Sequence, residues 1–490
     1  MTYDTIIAGA GLSGLTVALL LSRSGRKVLV LERQAQPAPL VRGFSRGGIY
    51  FDSGFHYVGG LGPGGAFRSL FRHLGLEDCP ELTPLAKEGF DHLRCVATGR
   101  TLSLPLGFEE IKHRLTRLFP EATSRIEPYI DEIAGNWSRL PYLDLDLDLE
   151  RFALQSAHGV SLEERLREFA PWPELQGLLS MHSLLYGVPA DSAPVRLNLQ
   201  VAGSYYHSAH SIRGGGRALV DALLNQLEEV GAEVRCQAEI VAIRAAANKV
   251  AGVTLHGGEE IAAREIVSTI NPHYLPNLVA TDQLRPAYRK RLANLRQTCS
   301  AYVVYARSDR MVDMLSASNL FVQPRAGVIH VAEDAPFAER PYFLAASSQG
   351  EGKKQGVIGI IPASYDEVGE WSSSGSKRCT AYRLHKEWVG QRLLELFMKQ
   401  VPELGELELL DLATPLTLSD WTRAPGGAIY GTGHFLGQYN PHPVTRLPGL
   451  FLSGQAVAAP GLLGTVIAAY LTCGSMLGHE RLRREIRQCL

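Results

Sequence analysis

The hydrophobic pattern changes period three times within the first thirty residues. Thr5-Ile6-Ile7-Ala8 is an uninterrupted run of the kind that forms a strand buried on both faces. Gly9-Ala10-Gly11-Leu12-Ser13-Gly14 breaks it, a helical pattern follows, and a second apolar run ends at the acid Glu32. Strand, glycine turn, helix, strand and acid in this register predict a unit that cradles a dinucleotide. Gly9 permits the turn, Gly11 lets a phosphate approach bare backbone, and Gly14 lets the helix pack against the strand. Leu12 and Ser13 open the helix, whose free N–H groups attract a pyrophosphate. Glu32, with Arg33 beside it, is placed to accept the hydroxyls of an adenosine ribose.

Further along, Ile111 to Phe119 and Leu162 to Phe169 have amphipathic helical spacing within a helix-rich stretch from Phe71 to Tyr205. Gly214-Gly215-Gly216 precedes a predicted helix from Ala218 to Val230, which Gly231 ends. Glu233 to Arg244 alternates as one strand, and a meander of Lys249 to Leu255, His256 to Glu260 and Ile261 to Ile270 follows, with a turn at Gly257-Gly258. Strands are also predicted for Tyr342 to Ser347 and Val357 to Ile361, joined by the glycine- and lysine-rich segment 349–356; 371–378 reads as another loop. From Leu447 to Gly478 there is no charged residue, enough in length to span a bilayer. Six glycines and prolines punctuate its first eighteen residues, so it reads as a buried strand (Leu450 to Ser453), a loop and a buried helix from Gly461 to about Leu477. Gly461-Leu462-Leu463-Gly464-Thr465 makes a second glycine-flanked helix start.

Composition narrows the function classes. The 490 residues suffice for two or three domains' worth of core, and 49 basic against 50 acidic side chains leave no field to hold nucleic acid. Seven cysteines without a C-x-x-C argue against a disulfide framework and against structural zinc. A dinucleotide unit starting at residue 3 leaves no room for a leader peptide, so a cytoplasmic protein is expected.

Residues 39 to 66 are rich in glycine and aromatics where a nicotinamide enzyme would complete its second βαβαβ half, which favours flavin adenine dinucleotide (FAD). Arg42 to Gly60 reads as a hairpin strand running into a loop of close backbone approach, as a flat ring system requires, with Gly54 in that loop.

The segments GAGLSGL, FDSGFHYVGG, SIRGGGRALVDAL, VSTINPHYL, APGGAIYGTGH and LFLSGQAVAAPGLLGTVIAAYL together resemble the phytoene desaturase, carotenoid isomerase and retinol saturase group of FAD enzymes. The likeness is strongest to the retinol saturase branch and runs in order over nearly the whole chain. It implies an α/β fold in which a glutathione-reductase-like FAD-binding Rossmann domain (1–70, 206–275 and 410–490) is interleaved with an α+β substrate domain (71–205 and 276–409). It implies an oxidoreductase that saturates, desaturates or isomerises double bonds of a long apolar polyene, with an external electron donor or acceptor. An apolar entrance would allow peripheral contact with a membrane. By the same likeness Val241 gives its backbone to the adenine, and Gly54, Gly454, Gln455 and the helix start Gly461, Leu463, Gly464 and Thr465 meet the flavin side. His56 and Tyr57 fall beside the flavin ring, where a histidine either donates a proton to carbon or holds a backbone carbonyl.

The chain departs from that pattern at three places. Ala38-Pro39 stands where two glycines are usual, and Ala456 where an acid often follows the glycine–glutamine pair. No cysteine lies in 426–430, so FAD attachment is expected to be noncovalent. Reductive cyclisation of a polyketide polyene, amine oxidation with Trp421 and Tyr430 as an aromatic cage, and a flavin-free lipid escort remain alternatives. Asp144, Asp146 and Asp148 alternate with leucines and read as a solvated edge strand in preference to a metal site. His207 and His210 read as a polar pair on a loop.

Overall fold

The computed structural model describes residues 2–155, 158–331, 333–347, 355–374 and 378–490. The initial strand, Thr2–Ala8, is the spine of a seven-stranded sheet. Ile7 is wholly buried, in register with Val30 on one side and Val267 on the other, which is why this run carries no polar alternation. Five strands run parallel: Glu233–Arg235, Val28–Leu31, Thr2–Ala8, Glu260–Ser268 and Leu450–Leu452. Their order draws on the beginning, middle and end of the chain. An antiparallel extension, Lys249–Leu255 and Ile240–Ala246, completes the sheet.

The expected single strand from Glu233 to Arg244 is two strands on opposite edges of this sheet. The chain leaves the first edge after Arg235, takes a left-handed turn at Gln237 (φ 54°), and crosses under Glu32, whose carbonyl accepts the Ala238 N–H at 2.8 Å. The expected Gly257-Gly258 turn, both glycines left-handed, joins the strands Lys249–Leu255 and Glu260–Ser268, the second of which begins one residue before the expected Ile261.

Helices Leu12–Arg23 and Gly461–Leu477 pack together on one face of the sheet. The latter has the bounds its apolar pattern predicted. Its small residues allow the close approach, and Gly14 sits where a Cβ would lie 2.0 Å from the Gly9 carbonyl oxygen. Among the described residues no helix is long and apolar enough to cross a membrane.

A second seven-stranded sheet, mostly antiparallel, gathers Asp91–Cys95 and Thr101–Leu104 with five strands between Ser300 and Ala413. Helices from the 108–207 stretch cover it, and Phe321 and Phe343 join their core. All four expected domain breaks fall inside elements: 70/71 within the helix Ala66–His73, 205/206 within Val195–His207, 275/276 within Leu275–Leu278 and 409/410 within the strand Leu407–Ala413. Gln355–Ala363 begins two residues before the expected strand, whereas 348–354 lie outside the described residues. Gly369–Ser374 is a 3₁₀ turn where a loop was expected, and 375–377 also lie outside.

The Asp144 segment is not a strand. Asp144 accepts the Asp146 N–H, Asp148 accepts the N–H groups of Glu150 and Arg151 at the start of a helix, and Asp146 pairs with Arg487. Short acids bonding nearby backbone favour turns and caps over extended chain. No group that could hold a metal ion occurs among the described residues.

Candidate active site

The carboxyl ends of the parallel strands open on one long cavity of about 680 Å³. Ala8, Leu31, Thr269 and Ser453, each at or just past a strand end, line it, the position where open α/β sheets bind ligands. Gly9 takes φ +102° in the turn, which an L side chain rarely adopts, while a Cβ on Gly11 would meet nothing within 4 Å. Gly11 thus presents bare backbone to the cavity, with the start of the helix Leu12–Arg23 behind it. Leu12 and Ser13 share the wall, and Ser13 Oγ lies 2.8 Å from Ser453 Oγ, tying the first and last segments of the sheet together.

At one end the polar groups are held by local chain. Glu32 accepts the Ala10 N–H at 2.9 Å and the Gln34 N–H at 2.8 Å, which fixes its carboxylate on the cavity wall. Arg33 reaches across to the carbonyls of Asp420 and Trp421. Ala38 occupies the left-handed region (φ 47°, ψ 51°), a conformation costing a non-glycine residue roughly 1–2 kcal/mol. The backbone therefore takes a glycine-like turn despite the alanine.

The far end is built from sequence-distant apolar groups: Leu184 and Leu185, Phe343 and Ile360 of the second sheet, and Tyr430. His56 belongs to this end. Its ring centroid is 5.7 Å from that of Phe343, neither ring nitrogen has a hydrogen-bond partner, and burial pushes its pKa down to about 4. The imidazole is neutral at pH 7. Burial disfavours the imidazolium, and no backbone carbonyl receives an N–H of this ring among the described residues, so the expected backbone contact is absent.

Tyr57 points elsewhere. Its hydroxyl donates to Asp91 Oδ2 at 2.9 Å, the same oxygen lies 2.9 Å from His182 Nε2, and Asn319 Nδ2 donates to Asp91 Oδ1. Asp91 and His182 are fully buried. The Tyr57 ring stacks on Tyr205 at 4.4 Å and lines a second cavity of about 580 Å³. Leu185, Gly461 and Leu462 are walls of both cavities.

Other expected positions divide between the two spaces. Gly54, Gly454, Gln455, Gly461 and Thr465 line the first cavity, whereas Leu463 and Gly464 line the second. Helical geometry separates them, since residues three and four apart share a face. A Cβ on Gly464 would lie 2.2 Å from the Ala459 carbonyl oxygen, so this glycine serves a tight loop-to-helix junction. Val241 is absent from the wall and 40% exposed, because a register shift between Ile240 and Ala242 turns it outward. Ala238, Glu239 and Ile240 take that part of the wall.

His207 ends a helix against Trp137 and His210 lies on a strand; neither is on a loop or in the first cavity. Trp421 joins Arg33 at the polar end while the Tyr430 hydroxyl donates to the Leu184 carbonyl, and no ring contact joins the two among the described residues. The sequence reading missed the Asp91 cluster, although the alternation Asp91, Leu93, Cys95 in the strand Asp91–Cys95 marks the acid as inward-facing.

The residues fit a flavin dinucleotide. Gly11 leaves the space a phosphate needs, Glu32 is held at one end, and an unpartnered polar ring faces the other. Fold and cavity define a flavin-dependent oxidoreductase of the two-sheet type. The chain matches the family described as flavin containing amine oxidoreductase over residues 12–472, and it belongs to that family. It is 24% identical to the all-trans-retinol 13,14-reductase of Rattus norvegicus, over 97% of this chain and 85% of that one. It is 23% identical to the chloroplastic prolycopene isomerase of Daucus carota, over 98% and 80%. Among solved structures, an oxidoreductase from Methanosarcina mazei superposes with a TM-score of 0.68 at 16% identity, covering 96% of this chain and 99% of that chain.

Proposed function

We propose that this protein holds FAD noncovalently along the first cavity and uses it to reduce or rearrange carbon–carbon double bonds of a long apolar polyene lodged in the second. The observation that carries this reading is the shared wall of Leu185, Gly461 and Leu462 between a cavity with a nucleotide-like polar end and a second, largely apolar one. The reductase and isomerase likenesses, each spanning nearly the whole chain, support the same substrate class.

Gly9, Gly11 and Gly14 form the pyrophosphate turn in this reading, Glu32 takes the ribose hydroxyls, and Ala238 to Ile240 replace Val241 beside the adenine. Bound there, the flavin supplies two-electron chemistry, with electrons from an external donor. The protein's own contribution at the far end is positional. Apolar walls exclude water, and neutral His56 offers one N–H and one lone pair to a bound ring. The only cysteine on the first cavity's wall among the described residues is Cys299, whose thiol burial pushes up to about 12 and keeps protonated, in keeping with noncovalent attachment.

Purified protein should be yellow with one FAD per chain released on denaturation. Photoreduced anaerobically, it should convert all-trans-retinol or a carotenoid to a product altered at a double bond. A colourless protein that takes up no FAD would remove this reading and leave lipid binding.

A further inference from the structure

One wall of the second cavity carries a cation that its surroundings do not balance. Six residues of the helix Val195–His207 line that cavity: Arg196, Leu197, Gln200, Val201, Ser204 and Tyr205. Arg196 lies in the first turn, where the helix dipole is positive and no acidic residue offsets it, an unfavourable place for a cation. The side chain is half-buried, and burial alone pushes its pKa down. Phe152 covers one face of the guanidinium, 4.2 Å from ring centroid to Cζ. No hydrogen bond or ion pair holds its guanidinium among the described residues, and burial is the sole influence on its charge.

The remaining charges around the cavity do not supply the missing anion. Glu150 is exposed and makes no ion pair with Arg196, and Arg291 adds a second positive charge at the exposed rim. His434, His442 and His479 are each shifted down by burial and are neutral at pH 7. A half-buried cation at the positive end of a helix, on a cavity wall with no carboxylate paired to it, points to a site completed by an anionic ligand group.

We infer that the second cavity binds a polyene bearing a terminal carboxylate, which the guanidinium of Arg196 grips while the hydrocarbon runs along the helix toward Tyr205 and the first cavity. A single guanidinium fork matches one carboxylate, whereas a diphosphate head would call for more cations than this wall holds. Arg196 and Tyr205 are nine residues apart, about 14 Å of helix. Tyr205 stacks on Tyr57, the residue after His56, so the charged head sits remote from the double bond that reacts. The inference rests on the polyene reading above and adds the end group.

The test compares two probes with the same polyene and different ends, all-trans-retinoic acid and all-trans-retinol, binding to the flavin-loaded protein, followed by fluorescence quenching. The acid should bind at least about tenfold more tightly than the alcohol. Arg196→Gln should weaken acid binding roughly ten- to a hundredfold and leave retinol binding unchanged. Arg196→Lys, which keeps the charge and loses the fork, should recover part of the difference at full flavin content. Equal affinities for acid and alcohol in the unaltered protein, or equal weakening of both in Arg196→Gln, would overturn the carboxylate site while leaving the polyene reading intact. Failure of both probes to bind would overturn the polyene reading, and this inference with it.

Discussion

The two ends of the first cavity are built on different principles. At the Glu32 end the carboxylate already accepts two backbone N–H groups, and the glycine turn is set by residues within thirty positions of each other. At the His56 end, walls come from four distant segments, and both nitrogens of a buried ring lack a partner. The first end is finished before any ligand arrives. The second leaves polar capacity open for what occupies it, and an unpaired buried polar group is tolerated at a site whose occupant completes it. In the proposed function, recognition of the dinucleotide thus needs little beyond backbone, whereas selection of the reacting molecule depends on tertiary assembly.

The contrast is sharpest where a single change should empty one end. Gly11→Val fills the open space beside the turn, and we expect complete loss of flavin from a protein that remains folded, read as the ratio of flavin to protein absorbance. Full flavin occupancy in that variant would place the pyrophosphate elsewhere.

The next effect is on acid stability and belongs to the other end. His56 has a folded pKa of about 4 against about 6.5 in the unfolded chain, so the unfolded chain takes up this proton first as pH falls. Stability from this group is present above pH 6.5, declines as pH drops toward 4, and changes no further below that. The full difference is about 3 kcal/mol. His56→Phe should therefore flatten the urea-midpoint profile between pH 6.5 and 4, and an unaltered profile would show that the ring is not held neutral.

Glu32→Ala should be milder than Gly11→Val. Loss of a charged acceptor costs about 1.5–3 kcal/mol, one to two decades in FAD affinity by titration of the deflavinated protein. Smallest of all is Tyr57→Phe, which leaves Asp91 with His182 and Asn319 and should cost about 1 kcal/mol in stability with no loss of bound flavin. A colourless Tyr57→Phe protein would mean that this residue reports on the first cavity after all.

What could be read from the sequence follows the same division. The Gly9 to Gly14 turn, Glu32 and the helix Gly461–Leu477 were legible because their signals are local: a glycine spacing, a strand end, an uncharged run bounded by breakers. Ile240 lies on the cavity wall and Val241 off it, where a bulge shifts register without any mark in composition. The strand from Glu233 was read through its own crossover, since alternation continues across Gln237 while the backbone turns. Phe343 and Asp91 carry no local signal that they share a sheet; the pairing of Asp91–Cys95 with Asn319–Gln323, more than two hundred residues apart, and of that strand with Tyr342–Ala346 brings them together.

The most direct test of the account is an anaerobic single turnover. Flavin-loaded protein is photoreduced, mixed with one equivalent of all-trans-retinol, and followed at the flavin and polyene absorbance bands with mass analysis of the product. The account predicts loss or rearrangement of a double bond in the polyene, dependent on the reduced flavin and absent from Gly11→Val. Unchanged retinoid and carotenoid beside a flavin that an amine such as putrescine reduces would contradict it.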